Sequence, residues 1–197
     1  MTVRPATSVD LPRVAELHAQ RISEGFLSSL GLPFLCRLYA RALSSPDSFI
    51  FVNDGQLNGP SDVNGFVAGV EDLGAFYRRF VLRDGIAAGL RAAPRLVAAL
   101  PRVIETLRYP SATSALPDSE ILAVAVATNA GGQGIGGALV GAATAEFARR
   151  GTTSAKVVTT SDNKAALAMY RRRGFVTSAP VEVHPGRVSE VLVWTAS

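Results

Sequence analysis

Residues 131–139 read GGQGIGGAL, five glycines in nine positions leading into helix-forming sequence. Each glycine loses more backbone freedom on folding than another residue would, so such a cluster needs a reason. Between a strand and a helix N-terminus, glycines let successive main-chain N–H groups converge on a phosphate, which the helix dipole also favours. Three phosphate-binding arrangements share this physics. A Walker loop ends in Gly-Lys-Ser/Thr, whereas this chain continues Gly137-Ala138-Leu139. A dinucleotide-binding fingerprint needs an acidic residue closing the next strand, and AKVVTTSD offers only Asp162, beyond its end. That fingerprint also belongs near the start of a βαβ unit, not two-thirds along the chain. Both are disfavoured. Nucleophilic and metal chemistry have little to work with. Cys36 is the one cysteine and sits among apolar neighbours, while His18 and His184 lack any Cys or His at ligand spacing.

The third arrangement fits. Residues 120–139, EILAVAVATNAGGQGIGGAL, resemble the central signature of the GNAT superfamily of acyl-CoA-dependent N-acyltransferases: a strand, a short loop, then R/Q-x-x-G-x-G/A opening a helix. Residues 163–175, NKAALAMYRRRGF, resemble the family's N-x-x-A-x-x-x-Y-x-x-x-G-F segment, and the opening VRPATSVDLPRVAEL is similar to its first strand and helix. One departure exists. Aligning Gly134 and Gly136 with the signature glycines puts Gly131 where the family prefers Arg or Gln; sliding by two residues gives that place to Gln133, followed by Gly136 and Ala138. The first register keeps Glu120 and Leu139 in place and is preferred. In either, the amides of Gly132, Gln133, Gly134, Ile135, Gly136 and Gly137 are expected to face a pyrophosphate.

The resemblance implies acetyl-CoA as cosubstrate and a primary amine as acceptor, with no metal. Acyl transfer from a thioester to an amine needs a neutral amine, a stabilised oxyanion and a proton for the departing thiolate. Because the coenzyme brings the activated acyl group, no covalent enzyme nucleophile is required. By resemblance, the main chain of Val124, Ala125 and Val126 binds the pantetheine arm, with the amide near Val124 facing the thioester oxygen. Glu120 is the candidate base and Tyr170 the candidate general acid, a phenol of ordinary pKa about 10. Asn163 is a candidate for holding the coenzyme, alongside a role as helix N-cap. For Glu120 the competing reading is an exposed strand-start carboxylate, and for Tyr170 an aromatic packed on the sheet. Arg171, Arg172 and Arg173 read first as a solvated face and second as partners of the coenzyme's phosphates. The acceptor is expected to be a small molecule, an amino sugar or another anionic amine among the candidates. A protein amino group, or a non-catalytic acyl-CoA sensor, is the alternative.

The elements that must hold these residues follow from apolar periodicity. VRPA starts a strand; Thr7 and Asp10 start a helix carrying Val14, Leu17, His18, Arg21 and Ile22; a second helix covers about Pro33–Leu43. SFIFVND and VNGFVAGVED read as a two-stranded meander. After residue 119 the order is β-α-β-α-β-β: strand 120–127, helix Ile135–Arg150 stopped by Gly151, strand AKVVTT, a helix ended by Gly174, then FVTSA and VSEVLVWT. The expected fold is α/β, a GNAT-like mixed and mostly antiparallel sheet with flanking helices.

The 197 residues, 48% apolar and 18% charged, suit one domain spanning 1–197. No apolar run approaches the ~20 residues that cross a bilayer, and MTVRPATSVD lacks a signal-peptide core. A cytoplasmic protein is expected. The net charge of +4 comes from 20 basic residues, of which only Lys156 and Lys164 are lysine. With no basic tail and no interleaved aromatics, a nucleic-acid partner is not indicated.

Family members usually join the third and fourth strands by a short turn, but here residues 72–118 intervene as a helical insertion. Leu90, Ala93, Val97, Leu100, Ile104 and Leu107 form an amphipathic stripe broken by Pro94 and Pro101. Arginines 78, 79, 83, 91, 95, 102 and 108 against Asp84 and Glu105 leave residues 78–108 at +5. Three readings stand: helices packed on the domain or on a second copy in a homodimer, a lid drawing an anionic acceptor, or a membrane-surface contact.

Overall fold

Runs rich in β-branched and aromatic residues become strands, and stretches with apolar residues three and four apart become helices. The computed structural model describes residues 2–22, 27, 30–55, 63–80, 116–184 and 187–196. Among these, one seven-stranded sheet contains β1 (Thr2–Pro5), β2 (Ser48–Asp54), β3 (Val63–Val70), β4 (Glu120–Val126), β5 (Ser154–Thr160), β6 (Val176–His184) and β7 (Arg187–Thr195). Their spatial order is β1-β2-β3-β4-β5-β7-β6. Every neighbouring pair is antiparallel except β4 with β5, as the mixed sheet read from the sequence requires.

Helices α1 (Leu11–Arg21) and α2 (Leu32–Ser44) lie on one face and α4 (Ile135–Arg149) on the other, with α3 (Leu73–Phe80) directly after β3. Adjacent residues of β3 show the two layers, since successive side chains leave a strand on opposite sides. The Phe66 ring meets Tyr39 of α2 at 5.3 Å between centroids. At Gly65, a Cβ would lie 3.0 Å from Ile135 and 3.1 Å from Leu139 of α4. Cover on both faces makes β2 and β3 nearly continuously buried. In β4, by contrast, Glu120, Leu122, Val124 and Val126 stay half-buried while the residues between them are sealed. One face of β4 is left partly open.

The N-terminal helix begins differently from its sequence reading. Thr7 caps a 3₁₀ turn, Ser8–Asp10, and α1 starts only at Leu11 with Pro12 in its first turn. Asp10 is buried and takes both ends of the Arg4 guanidinium, at 2.8 and 2.9 Å, plus the Thr7 amide at 2.7 Å. The Arg4 hydrogen bonds hold the Asp10 carboxyl down at about 2, below its ordinary 3.8. A carboxylate depressed on folding contributes stability above its unfolded pKa and loses it as pH falls through the folded one. Asp10→Ala is therefore expected to cost about 2–4 kcal/mol at pH 7. It should also flatten the stability loss of the parent between pH ~4 and ~2, as read from urea melts across that range.

Of the 72–118 insertion, α3 is helical and carries Arg78 and Arg79. The stripe from Leu90 to Leu107, both prolines and the remaining arginines of that segment lie outside the described residues.

Candidate active site

β4 is paired with β3 along its whole length, yet it meets β5 at a single rung, Glu120 opposite Lys156. There the Lys156 amide donates to the Ser119 carbonyl at 2.9 Å. Beyond that rung the two strands part. Each is held by its outer neighbour, β4 by β3 and β5 by β7 from Ser154 to Thr160, and neither bends to close the gap.

A bulge decides which main-chain groups face this opening. The β3–β4 register slips between Ala68 and Gly69, leaving Leu122 without a partner. At the far end the Ala127 amide donates to the Asn64 carbonyl of β3 at 2.7 Å, so Ala127 and Ala125 turn their main chain toward β3. Val124 and Val126 then turn theirs toward the gap. Ser119, on the other side of the bulge, already points that way. Without the one-residue slip the two sets could not share an edge.

The glycine stretch follows at the C-terminal end of β4, after a 3₁₀ turn at Thr128–Ala130. Gly132 and Gly134 adopt φ of +77° and +79°, the left-handed region that disfavours any Cβ. Among the described residues, no amide from Gly132 to Gly137 donates to a protein acceptor, and the first that does is Ala138, to the Gly134 carbonyl at 3.0 Å. Six consecutive donors thus stand free at the positive end of a 15-residue helix. The side chain of Ile135 is buried, while Gly131 to Gly134 are exposed. Gly134→Ala meets no atom within 4 Å, so its cost is backbone strain alone, about 1–2 kcal/mol, measurable as a lowered unfolding midpoint.

The last two glycines of the stretch answer a packing demand that the sequence reading did not separate from phosphate binding. A Cβ at Gly136 would come 3.3 Å from the Met169 sulfur, and one at Gly137 3.2 Å from the Arg173 guanidinium. Both neighbours belong to the Tyr170 segment: Met169 lies on α5 (Lys164–Arg172) and Arg173 caps its C-terminal end. Small residues on α4 let α5 approach the mouth of the glycine turn. Arg171, Arg172 and Arg173 are all exposed; Arg171 bonds Glu190 at 2.8 Å and Arg173 lies along the glycine side of α4.

Tyr170 is buried, its ring 5.4 Å from Phe175. Among the described residues no protein group hydrogen-bonds its hydroxyl, and burial pushes its pKa above the ordinary value. Asn163 acts as N-cap, its Oδ1 accepting from the Ala166 amide at 3.1 Å. It stands just outside the helix and exposed, so it does not share the buried face of Tyr170. Glu120 is no exposed strand-start carboxylate: its side chain keeps only 13% of its surface open. Burial pushes its pKa up to about 7, against the opposing pull of Lys156.

Lys156 is the residue the sequence reading missed. Its side chain is 2% exposed, with Nζ 3.6 Å from Glu120 Oε2 and donating to the Pro117 carbonyl. The available signal was a lysine inside the apolar run AKVVTT, in a chain with only two lysines. Also unforeseen is the buried pair His18 and Tyr39, joined at 2.5 Å between Nδ1 and the hydroxyl. Burial lowers the His18 pKa to about 4, so its ring is neutral. Among the described residues no group of three His, Cys, Asp or Glu is placed to hold a metal ion, and no helix is long and apolar enough to cross a membrane.

A half-open central strand, a glycine turn and a tyrosine-bearing helix docked beside it lie together at one end of the sheet. The family model for the acetyltransferase (GNAT) family matches residues 77–175, just over half of the sequence, and the chain belongs to that family. Its enzymes take their acetyl group from acetyl-CoA. Among solved structures, a ribosomal-protein-alanine N-acetyltransferase from Brucella melitensis superposes with a TM-score of 0.65 at 16% identity, covering 100% of each chain. The NatC complex bound to Gag peptide and CoA gives 0.64 at 15%, covering 100% of this chain and 98% of that one. A spermidine N-acetyltransferase SpeG mutant from Vibrio cholerae gives 0.61 at 13%, covering 99% and 95%. At such identities the likeness is one of fold. No curated sequence matches the chain.

Proposed function

We propose that this protein transfers the acetyl group of acetyl-CoA directly to the primary amine of a small-molecule acceptor. The observation that carries the reading is the wedge between β4 and β5, with a desolvated carboxylate at its closed end and six free amides at its open end. From Glu120 to the glycine turn is about 20 Å along the strand, the scale of a pantetheine arm in extended form.

The cosubstrate supplies an acyl group already activated as a thioester. The amides from Gly132 to Gly137 hold its diphosphate, and the unpaired main chain of Val124 and Val126, with Ala125 between them, lines its arm. Glu120, half-ionised near neutrality, takes the proton from the acceptor's ammonium or amine. The Val124 amide donates to the carbonyl oxygen as negative charge gathers there. Tyr170, kept protonated by burial, gives its hydroxyl proton to the departing sulfur. Asn163 contributes by fixing the start of the helix that carries Tyr170, and we place it near the coenzyme without a side-chain bond of its own. A single cysteine and a requirement for acetyl-CoA suit the cytoplasm.

The test is thiol release from acetyl-CoA with a panel of an amino-sugar phosphate, spermidine and an N-terminal alanyl peptide. The panel spans the acceptor classes named for the structural neighbours as well as the anionic amine preferred here. Release that depends on a small amine is the expected outcome. Release with the peptide alone moves the acceptor to protein amino groups, and tight acetyl-CoA binding without release on any amine leaves a sensor.

A further inference from the structure

We infer that Lys156 is a positioning residue of the acyl-transfer site, holding one oxygen of Glu120 at the single rung that joins β4 to β5 and keeping that carboxylate available as a base. The inference rests on the assignment of Glu120 as base proposed above. Its support is geometric. Glu120 and Lys156 are register partners where the parallel pairing begins and ends, so their side chains leave the sheet side by side. Nζ lies 3.6 Å from Oε2, and Oε2 is buried with no hydrogen-bond partner among the described residues. Nζ is itself tied to the Pro117 carbonyl, which precedes β4, so the ammonium is fixed from the same strand whose carboxylate it faces.

The chemistry follows from burial. A carboxylate this desolvated favours its protonated form, and an acid that stays protonated cannot accept a proton from an ammonium. Among the described residues the other titratable group felt at this site is Tyr77 of α3, whose hydroxyl is raised by burial and then by Glu120, and so is neutral. Lys156 is thus the cation acting on Glu120. Its strand is also the one that leaves the wedge, so the residue that sets the base stands at the point where the cleft starts to open.

Two charge-removing variants test this in the full chain: Lys156→Met, and Lys156→Gln, whose amide can still donate to Pro117. The first readout is the titration midpoint of the Glu120 carboxyl by difference infrared spectroscopy, assigned with Glu120→Gln and independent of turnover. The second is the acid limb of kcat/KM for acetyl-CoA with the best amine of the panel above. Removing an opposite charge at this range is expected to raise both by about 1–3 units, so that activity near pH 7 falls at least about fivefold while the alkaline plateau stays within a few-fold. A midpoint that does not move in either variant, with unfolding and coenzyme A binding like the parent's, overturns the role of Lys156 alone. A midpoint that rises while the kinetic limb stays in place overturns Glu120 as the base, and the role of Lys156 with it.

Discussion

Glu120→Gln is expected to lower kcat/KM for acetyl transfer by about 100- to 1,000-fold, the usual worth of a positioned general base. Glutamine has the shape of glutamate and leaves the strand unchanged, but it cannot take a proton. The parent should lose activity as pH falls through about 7, because the working form of Glu120 is the charged one and burial has raised its pKa to that value. In the variant this limb should vanish. The residual rate should instead climb steadily with pH as the free amine itself loses its proton. Coenzyme A affinity should change little, since Glu120 stands at the opposite end of β4 from the glycine turn. Steady-state rates from pH 5.5 to 9.5 with calorimetry for coenzyme A would check both halves; a parental limb in the variant would remove Glu120 from the mechanism.

The second large effect concerns Tyr170. Tyr170→Phe should reduce kcat by about 100-fold at unchanged coenzyme affinity. The substitution is structurally mild: the ring keeps its contact with Phe175, and no protein hydrogen bond is lost among the described residues. What disappears is a proton donor for the leaving sulfur. Because the hydroxyl pKa is raised, the parent should show no alkaline limb from Tyr170 in the ordinary working range. Pre-steady-state thiol release separates this from a packing defect, because a packing defect would also weaken coenzyme binding and lower the unfolding midpoint. A parental rate in Tyr170→Phe would leave the thiolate to be protonated by water.

The two residues illustrate different relations between pattern and place. Tyr170 was legible because helix periodicity is a local property: seven residues after Asn163 and four before Gly174, it falls on the apolar side of a short helix whatever that helix packs against. The glycine turn was legible for a similar reason, since a strand, a run of glycines and a helix start are read within twenty residues. Glu120 was legible as a position but not as a base. Its usefulness depends on burial in the folded protein and on the opposing charge of Lys156, a neighbour distant in sequence.

The amino-acid order by itself determined the kinds of elements, their succession, the N-cap at Asn163 and the free amides at the start of the helix from Ile135, because each arises from contacts within a few residues. It also placed the chain among GNAT-like α/β proteins through two short motifs. Only the tertiary structure decided that β4 touches β5 at one rung, that a bulge at Leu122 turns Val124 and Val126 to the open edge, and that Gly136 and Gly137 are small for Met169 and Arg173. Lys156 belongs to this second group, since a lysine among valines acquires a partner only when a strand thirty-six positions away is laid beside it. The physical reason is common to all four: strand pairing and helix docking bring together residues whose separation along the chain carries no periodic signal, and burial then assigns each of them its chemistry.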